Sequence, residues 1–357
     1  MLTESRRHIR IALAGLCALL LQGCGTMYVL QAAHGEIHVL DRRRPIAKLV
    51  ASSGTPPKLR ATLEQVQEAR NFASQVLGLP DNRSYRTYSY IGRPYVVWNV
   101  VATPRFSVVP LHWCFPFVGC VAYRGYFSER SARRFAARLE ARGDDVSLGG
   151  VPAYSTLGHF ADPVLSTMLG YGDVAVAEMI FHELAHQLIY VPGDSSFDEA
   201  FATAVAQEGV RRWLLDRGRI GTLRRYEQAT ALDLEYIRLF RRTRASLRKL
   251  YASDLPAPAM LARKRARFAA LAAGMRRIEQ RTEQTSPYGE WLRTGLNNAD
   301  LATIGTYYDC VPGFQRLLKA DLGDLERFYS DVRALAREPR AQRDAAVCTA
   351  QAGAAAS

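Results

Sequence analysis

The spacing of apolar residues divides the chain into a mixed first half and a helical second half. Over 58–79, Leu59, Leu63, Val66, Ala69, Ala73, Val76 and Leu77 recur at helical spacing, and Leu79-Pro80-Asp81-Asn82 stops the pattern. From Ser84 to Val109 the chain turns aromatic and β-branched, with Gly92, Pro94 and Pro104 as punctuation, which predicts a small set of strands. Residues 128–142 read as a helix with Ser128 as a candidate cap, and 145–157 hold one more strand. Helical periods then run over 170–190 and 197–214. An Arg-rich antiparallel hairpin follows over 220–251 and 257–284, divided by Ser253-Asp254-Leu255-Pro256. Shorter helices are predicted near 297–308, 311–320 and 322–337. The expected class is α+β, mostly helical, with a small upstream sheet and a C-terminal helical hairpin or bundle.

The N-terminus sets an expected compartment. Arg6, Arg7 and Arg10 precede an apolar run over 11–21, too short for a bilayer span of roughly 20 residues. A basic start followed by a short apolar core is the pattern of a secretory signal. It ends in Leu21-Gln22-Gly23-Cys24, which resembles the bacterial lipobox and implies cleavage before Cys24 and acylation of that cysteine. Gly25 rather than Asp follows, so nothing marks inner-membrane retention. The expected location is the cell envelope, lipid-anchored with the chain in the periplasm, at the outer membrane rather than the inner.

Cysteine usage and charge adjust this picture. Of 6 Cys, Cys17 leaves with the signal and Cys24 carries the lipid. Cys114, Cys120, Cys310 and Cys348 remain, an even number suited to disulfides in an oxidising compartment. Four cysteines allow three connectivities, and locality favours Cys114–Cys120 with Cys310–Cys348. None has the C-x-x-C spacing of a structural zinc site. The net charge of +13 admits an anionic envelope surface as a partner besides the membrane itself. A secreted lipoprotein gives no reason to expect nucleic acid.

The chemistry concentrates in His182-Glu183-Leu184-Ala185-His186. Positions i and i+4 of a helix lie on one face, so two imidazoles can meet one metal ion at about 2.0–2.1 Å. Glu183, rotated about 100° from His182, is free to take a proton from a metal-bound water. Met179, Ile180, Phe181, Leu184, Ala185, Leu188, Ile189 and Tyr190 make the helix apolar nearly all round. Burying two His and a Glu there is costly unless they are paired or bound to metal. Two core histidines with a chance match is the bland alternative. A third ligand is needed. No His follows at short spacing; instead Pro192-Gly193-Asp194 breaks the helix, and Ser195 or Ser196 can cap the next. Glu199, near the start of that returning helix, is the expected ligand, with Glu208 as alternate. Asp194 and Asp198 are read as partners orienting a His or as helix N-terminal charges.

Three stretches carry a resemblance: PLHWCFPFVGCVAYRGYF, DVSLGGVPAYSTLGHFADPVLSTML and IFHELAHQLIYVPGDSSFDEAFATAVAQEG. They resemble the bacterial lipoproteins of the predicted aminopeptidase family, and the likeness extends over nearly the whole mature chain. It places the family's zinc motif on His182, Glu183 and His186, and its acidic ligand on Glu199. Asp198 stands where that family stretch usually has Asn, and His159 where an aromatic residue is usual. The wider likeness to gluzincins implies a zincin-like core, with Val151–Thr156 as an edge strand lining the cleft.

The function expected is a zinc-dependent peptidase, an aminopeptidase by resemblance, with one Zn²⁺ per chain, a peptide substrate and Glu183 as general base. An oxyanion donor is also needed. Tyr190, Tyr307 and Tyr308 are candidates by type, and Tyr154 and His159 are the choices nearest the presumed strand. The expected division is 1–23 signal, 24–57 N-terminal segment, 58–215 catalytic region, 216–340 helical region and 341–357 loose tail. Two other readings stand beside this one. One is a zinc-binding envelope scaffold without turnover. The other is a basic envelope-binding module using Arg241, Arg242, Arg244, Arg248, Lys249, Arg263, Lys264, Arg265 and Arg267.

Overall fold

A computed structural model describes residues 23–115 and 119–348 of the chain. The apolar run over 11–21 lies outside the described residues. Cys24 stands in the first turn of helix α1 (Gly23–Asp41). Among the described residues no helix is long and apolar enough to cross a membrane.

After α1 come β1 (Arg44–Pro45), α2 (Ile46–Ala51), α3 (Pro57–Gln75), β2 (Thr87–Ser89) and β3 (Val97–Thr103). Next are the hairpin β4 (Trp113–Phe115) and β5 (Gly119–Val121), β6 (Arg124–Tyr126), α4 (Glu129–Ala141), β7 (Asp145–Val151) and β8 (Val164–Leu165). The helical half holds α5 (Asp173–Leu188), α6 (Ser195–Asp216), α7 (Ile220–Tyr251), α8 (Ala257–Thr282), α9 (Gly289–Thr294) and α10 (Asn298–Tyr308). It closes with α11 (Val311–Ala320), α12 (Leu325–Ala336), α13 (Arg340–Arg343) and a π-helical turn, Asp344–Cys348. The chain is mostly helical with small sheets, as an α+β reading requires.

The central antiparallel sheet has the order β6-β3-β7. Period-two alternation sends β3 residues to opposite faces. Trp98, Val100 and Ala102 pack on Ala132, Ala136 and Leu139 of α4, while Val101 packs on Ala299 and Ala302 of α10. Both faces are therefore covered, and α10 is fixed by the sheet. β7 is an outer strand of this sheet, but it ends at Val151. The edge strand expected over 151–156 is thus displaced upstream. Pro152 cannot donate to a ladder, its carbonyl accepts from Thr167, and Thr156 is held by Asp162.

The motif helix α5 lies in the main core between α3 and α6. Phe181 packs against Phe72 of α3. Gly209 of α6 permits the close approach of α5, because a Cβ there would stand 2.7 Å from the Phe181 ring and 2.8 Å from Leu77. Arg70, fully buried, donates to the carbonyls of Pro80, Asn82 and Ser84 and so shapes the loop after α3. Asn82 in turn donates to Gln187, the residue after His186, at 2.8 Å.

Two expected boundaries fail for the same reason. Phe314, Phe328 and Val347 belong to the core that holds Ile180, Phe181 and Phe201, so no division falls at 215. The tail expected to be loose from 341 is packed as far as Cys348. Val347 is buried, and its backbone crosses Gly313 so closely that a Cβ there would stand 2.1 Å from the Val347 carbonyl oxygen. Disulfides join Cys310 to Cys348 and, across the β4–β5 pair, Cys114 to Cys120. Residues 349–357 lie outside the described residues. The hairpin α7–α8 forms with its own core around Tyr236, Phe240, Leu271 and Met275. Arg241 and Arg244 pair with Asp309, and Lys264 is buried against Asp145. Three of the nine charges read as a basic surface are therefore paired with acids of the protein itself.

Arg343 donates twice to Asp194 Oδ2, at 2.9 and 2.7 Å, where the Asp194 side chain is 1% exposed. Removing one partner of such a pair strands a buried charge. Arg343→Ala is expected to cost about 3–5 kcal/mol, read as a lower urea midpoint. An unchanged midpoint would show that the tail does not brace α6.

Candidate metal centre

Helix pitch places His182 and His186 on one face of α5. The helix ends at Leu188, and Ile189 is already extended. Gly193, with φ of +85°, makes the reversal, a conformation that favours glycine. Asp194, rather than Ser195 or Ser196, caps α6: its side chain accepts from Phe197 N. The bound on helix geometry is physical, since a cap must stand before the first helical residue, and both serines are already inside α6. Asp198 Oδ1 accepts from Val191 N at 2.8 Å and ties the start of α6 back to the turn. The disulfide-closed hairpin also leans on this turn, because a Cβ on Gly119 would lie 2.9 Å from Gly193 N.

The outcome is a triangle of donor atoms. His182 Nε2 and His186 Nε2 are 3.1 Å apart, His182 Nε2 and Glu199 Oε2 3.2 Å, and His186 Nε2 and Glu199 Oε2 3.6 Å. Among the described residues, these three form the group of His, Cys, Asp and Glu side chains able to hold a metal ion. Three tetrahedral donors at about 2.05 Å from one zinc stand about 3.3–3.4 Å from each other, and the observed separations bracket that value. All three side chains are largely shielded, at 20%, 9% and 11% exposure. His186 Nδ1 and Asp198 Oδ2 are both buried without a hydrogen-bond partner.

The carboxyls here diverge. Burial alone would raise Glu199, but hydrogen bonds and charge from both imidazoles outweigh it and hold its pKa down at about 2. Glu183 is pushed up to about 7, by burial first and then by Glu199 and Asp162 against the pull of His182. Asp198 is pushed up to about 9, chiefly by burial, with Glu199 and Asp194 adding to it.

The other expected residues fall in different places. Tyr154 donates to Glu36 of α1, and His159 is exposed in the loop after it, its backbone N–H bonded to Thr156 O. Neither joins the triangle. The expected strand over 151–156 ends at Val151, so both lie in the irregular segment after it. Glu208, the alternate ligand, is held by Arg211 and Arg212. Two other tyrosines lie in the field of these carboxylates. Burial raises the phenols of Tyr123 and Tyr307 well above their usual range, and Glu199 is the strongest charge acting on each, with Glu183 also contributing. Tyr190 is raised to about 12 by burial, Asp198 and Glu199. Tyr307 comes from α10, fixed by the sheet, and Tyr123 from the segment between β5 and β6. Tyr123 had no sequence signal beyond lying in a stretch that carries the family resemblance.

No curated protein and no solved structure matches the chain. A family model described as "Putative aminopeptidase" matches residues 27–347. That match runs from α1 to the π-helical turn beyond Arg343 and includes every residue of the donor triangle, so the chain belongs to this family.

Proposed function

We propose that the protein is a zinc-dependent peptidase of zincin type, acting as an aminopeptidase and anchored in the bacterial envelope by a lipid on Cys24. The observation that carries the reading is the donor triangle. Two imidazole nitrogens and a carboxylate oxygen converge at ligand spacing inside an apolar interior, where unpaired charge is costly. His182, His186 and Glu199 would hold the ion, the donor set of a catalytic zinc with one open position. Bound there, zinc supplies Lewis acidity that polarises a peptide carbonyl and acidifies water.

Glu183 stands on the same helix but off the ligand row, with one neighbouring imidazole and a carboxylate pushing against each other in its environment. It takes the proton of the attacking water and delivers it to the leaving amine. Tyr123 and Tyr307 keep their protons throughout the neutral range, so their hydroxyls are available as donors to charge developing on the carbonyl oxygen. Asp198 is fixed through one oxygen, and both its other oxygen and Nδ1 of His186 are buried without a hydrogen-bond partner, which makes Asp198 the candidate to orient His186. Two disulfides fit a chain that works in an oxidising compartment.

Elemental analysis of the full chain in detergent is expected to give one zinc per chain in wild type and in Glu183→Gln, and none in His182→Ala or His186→Ala. Peptide cleavage is expected in wild type and to fall about 10³-fold in Glu183→Gln. Zinc in both with cleavage in neither would leave a zinc-binding scaffold, and no zinc in wild type would return both histidines to the core. Tyr123→Phe and Tyr307→Phe are expected to lower kcat by about 10²-fold at unchanged zinc content, and wild-type kcat in both would remove the phenols from the reaction. In chelator competition, Asp198→Ala is expected to weaken zinc binding about 10–100-fold; unaltered affinity would show that His186 needs no such partner.

A further inference from the structure

A fourth carboxylate lies beside the triangle. Glu178 precedes His182 by four residues on α5, a spacing that stacks side chains one turn apart on one face, with Cβ atoms about 5–6 Å apart. Its Oε1 accepts a hydrogen bond from the hydroxyl of Tyr226, on α7, at 2.6 Å. Its other oxygen accepts none from any described residue, and it is not among the sealed, partnerless atoms of the interior. One oxygen is therefore anchored and the other open. His182 and Asp233 are its main charged neighbours, with no Lys or Arg among them. In a chain with 47 Lys and Arg, that leaves this carboxylate without its ordinary partner. Both Glu178 and Glu199 act electrostatically on the phenol of Tyr308 of α10.

The spacing suits an ammonium group. The free amine of a peptide is two bonds from the carbonyl carbon of its first residue. Both can be met by groups one helical turn apart on a single helix face. An ammonium would give the open oxygen a charge-assisted hydrogen bond. A peptide bond in the middle of a chain brings no such charge, and would bury Glu178 unpaired.

We propose that Glu178, oriented by Tyr226, binds the α-amino group of the substrate's first residue and so confines cleavage to the amino terminus. This rests on the peptidase reading above, and the test separates the two. The full chain loaded with zinc is titrated by calorimetry with leucine hydroxamate and with N-acetyl-leucine hydroxamate. Both carry the zinc-binding group, and only the first carries a free amine. Wild type is expected to favour the free amine by about 10²-fold. Glu178→Gln, which still accepts from Tyr226, is expected to bring the two affinities within a few-fold at one zinc per chain. Wild type binding both equally, or Glu178→Gln keeping the preference, would overturn the assignment and leave the zinc reading standing. Binding of neither hydroxamate by wild type would overturn both. Loss of zinc in Glu178→Gln would make Glu178 structural. Should that variant fail to fold, Tyr226→Phe decides: a several-fold fall in preference supports the role, and an unchanged preference overturns it.

Discussion

The site depends on one turn of chain, the segment 189–194 between α5 and α6. Helix pitch alone puts His182 and His186 together. The third donor must be returned by a reversal and delivered at the right rotation, because a one-residue slip along α6 would swing Glu199 by about 100°. Gly193 makes the reversal, Asp194 starts the new helix, and Asp198 ties that helix back to Val191. The Asp194–Arg343 pair then fixes the start of α6 from the far end of the chain. A buried ion pair of this kind contributes little net stability against an apolar replacement. What it supplies here is register: the guanidinium reaches a single carboxylate oxygen with two N–H groups, and that leaves α6 one position at its first turn. The disulfide Cys310–Cys348 keeps the short final helix, and Arg343 with it, within reach.

Electrostatics at the site runs against the balance of the chain. The protein carries a net charge of +13, yet Glu178, Glu183, Asp198 and Glu199 gather in one region. The basic side chains acting most strongly on Glu178, Glu183 and Glu199 are imidazoles rather than Lys or Arg. Burial pushes Glu183 and Asp198 toward the neutral form, while only Glu199 gains enough from the imidazoles to go the other way. Placing carboxylates this close inside an apolar core costs free energy that a cation among them would offset. The tyrosines answer the same constraint, since neutral donors can stand among carboxylates without introducing a competing charge.

Much of this was legible because helices write their period into the sequence. The helices around the motif, the hairpin and the cap at Ser128 followed from apolar spacing and cap chemistry. His182, His186 and Glu199 were legible as candidates because i, i+4 spacing and a helix break are local facts. What stayed hidden was non-local. Nothing adjacent to Tyr123 indicates that a disulfide-closed hairpin carries it to a helix pair more than 50 residues later. Tyr154 and His159 were chosen by proximity along the chain to a strand that in fact ends at Val151. The tail looked loose because its alanines carry no period, whereas its order comes from three long-range ties, through Arg343, Val347 and Cys348. Glu178 is the instructive omission. Its spacing from His182 was as visible as that between the histidines, but a lone Glu on an apolar helix has no meaning until Tyr226 and Tyr308 arrive from other helices.

That arrival explains why the helical second half cannot be a separate appendage. α10 packs on the face of β3 opposite α4, and it carries Tyr307 and Tyr308, on both of which Glu199 acts. α7 leaves the end of α6 and passes close enough to α5 for Tyr226 to reach Glu178. α11 and α12 complete the core beneath α6 through Phe314 and Phe328. α5 and α6 supply the three candidate ligands, but much of what packs around them is chain that follows in sequence. A cut at 215 would therefore remove Tyr307 and Tyr308, the carboxylate's partner Tyr226 and the Arg343 brace together, leaving the three donors on two helices with an open flank.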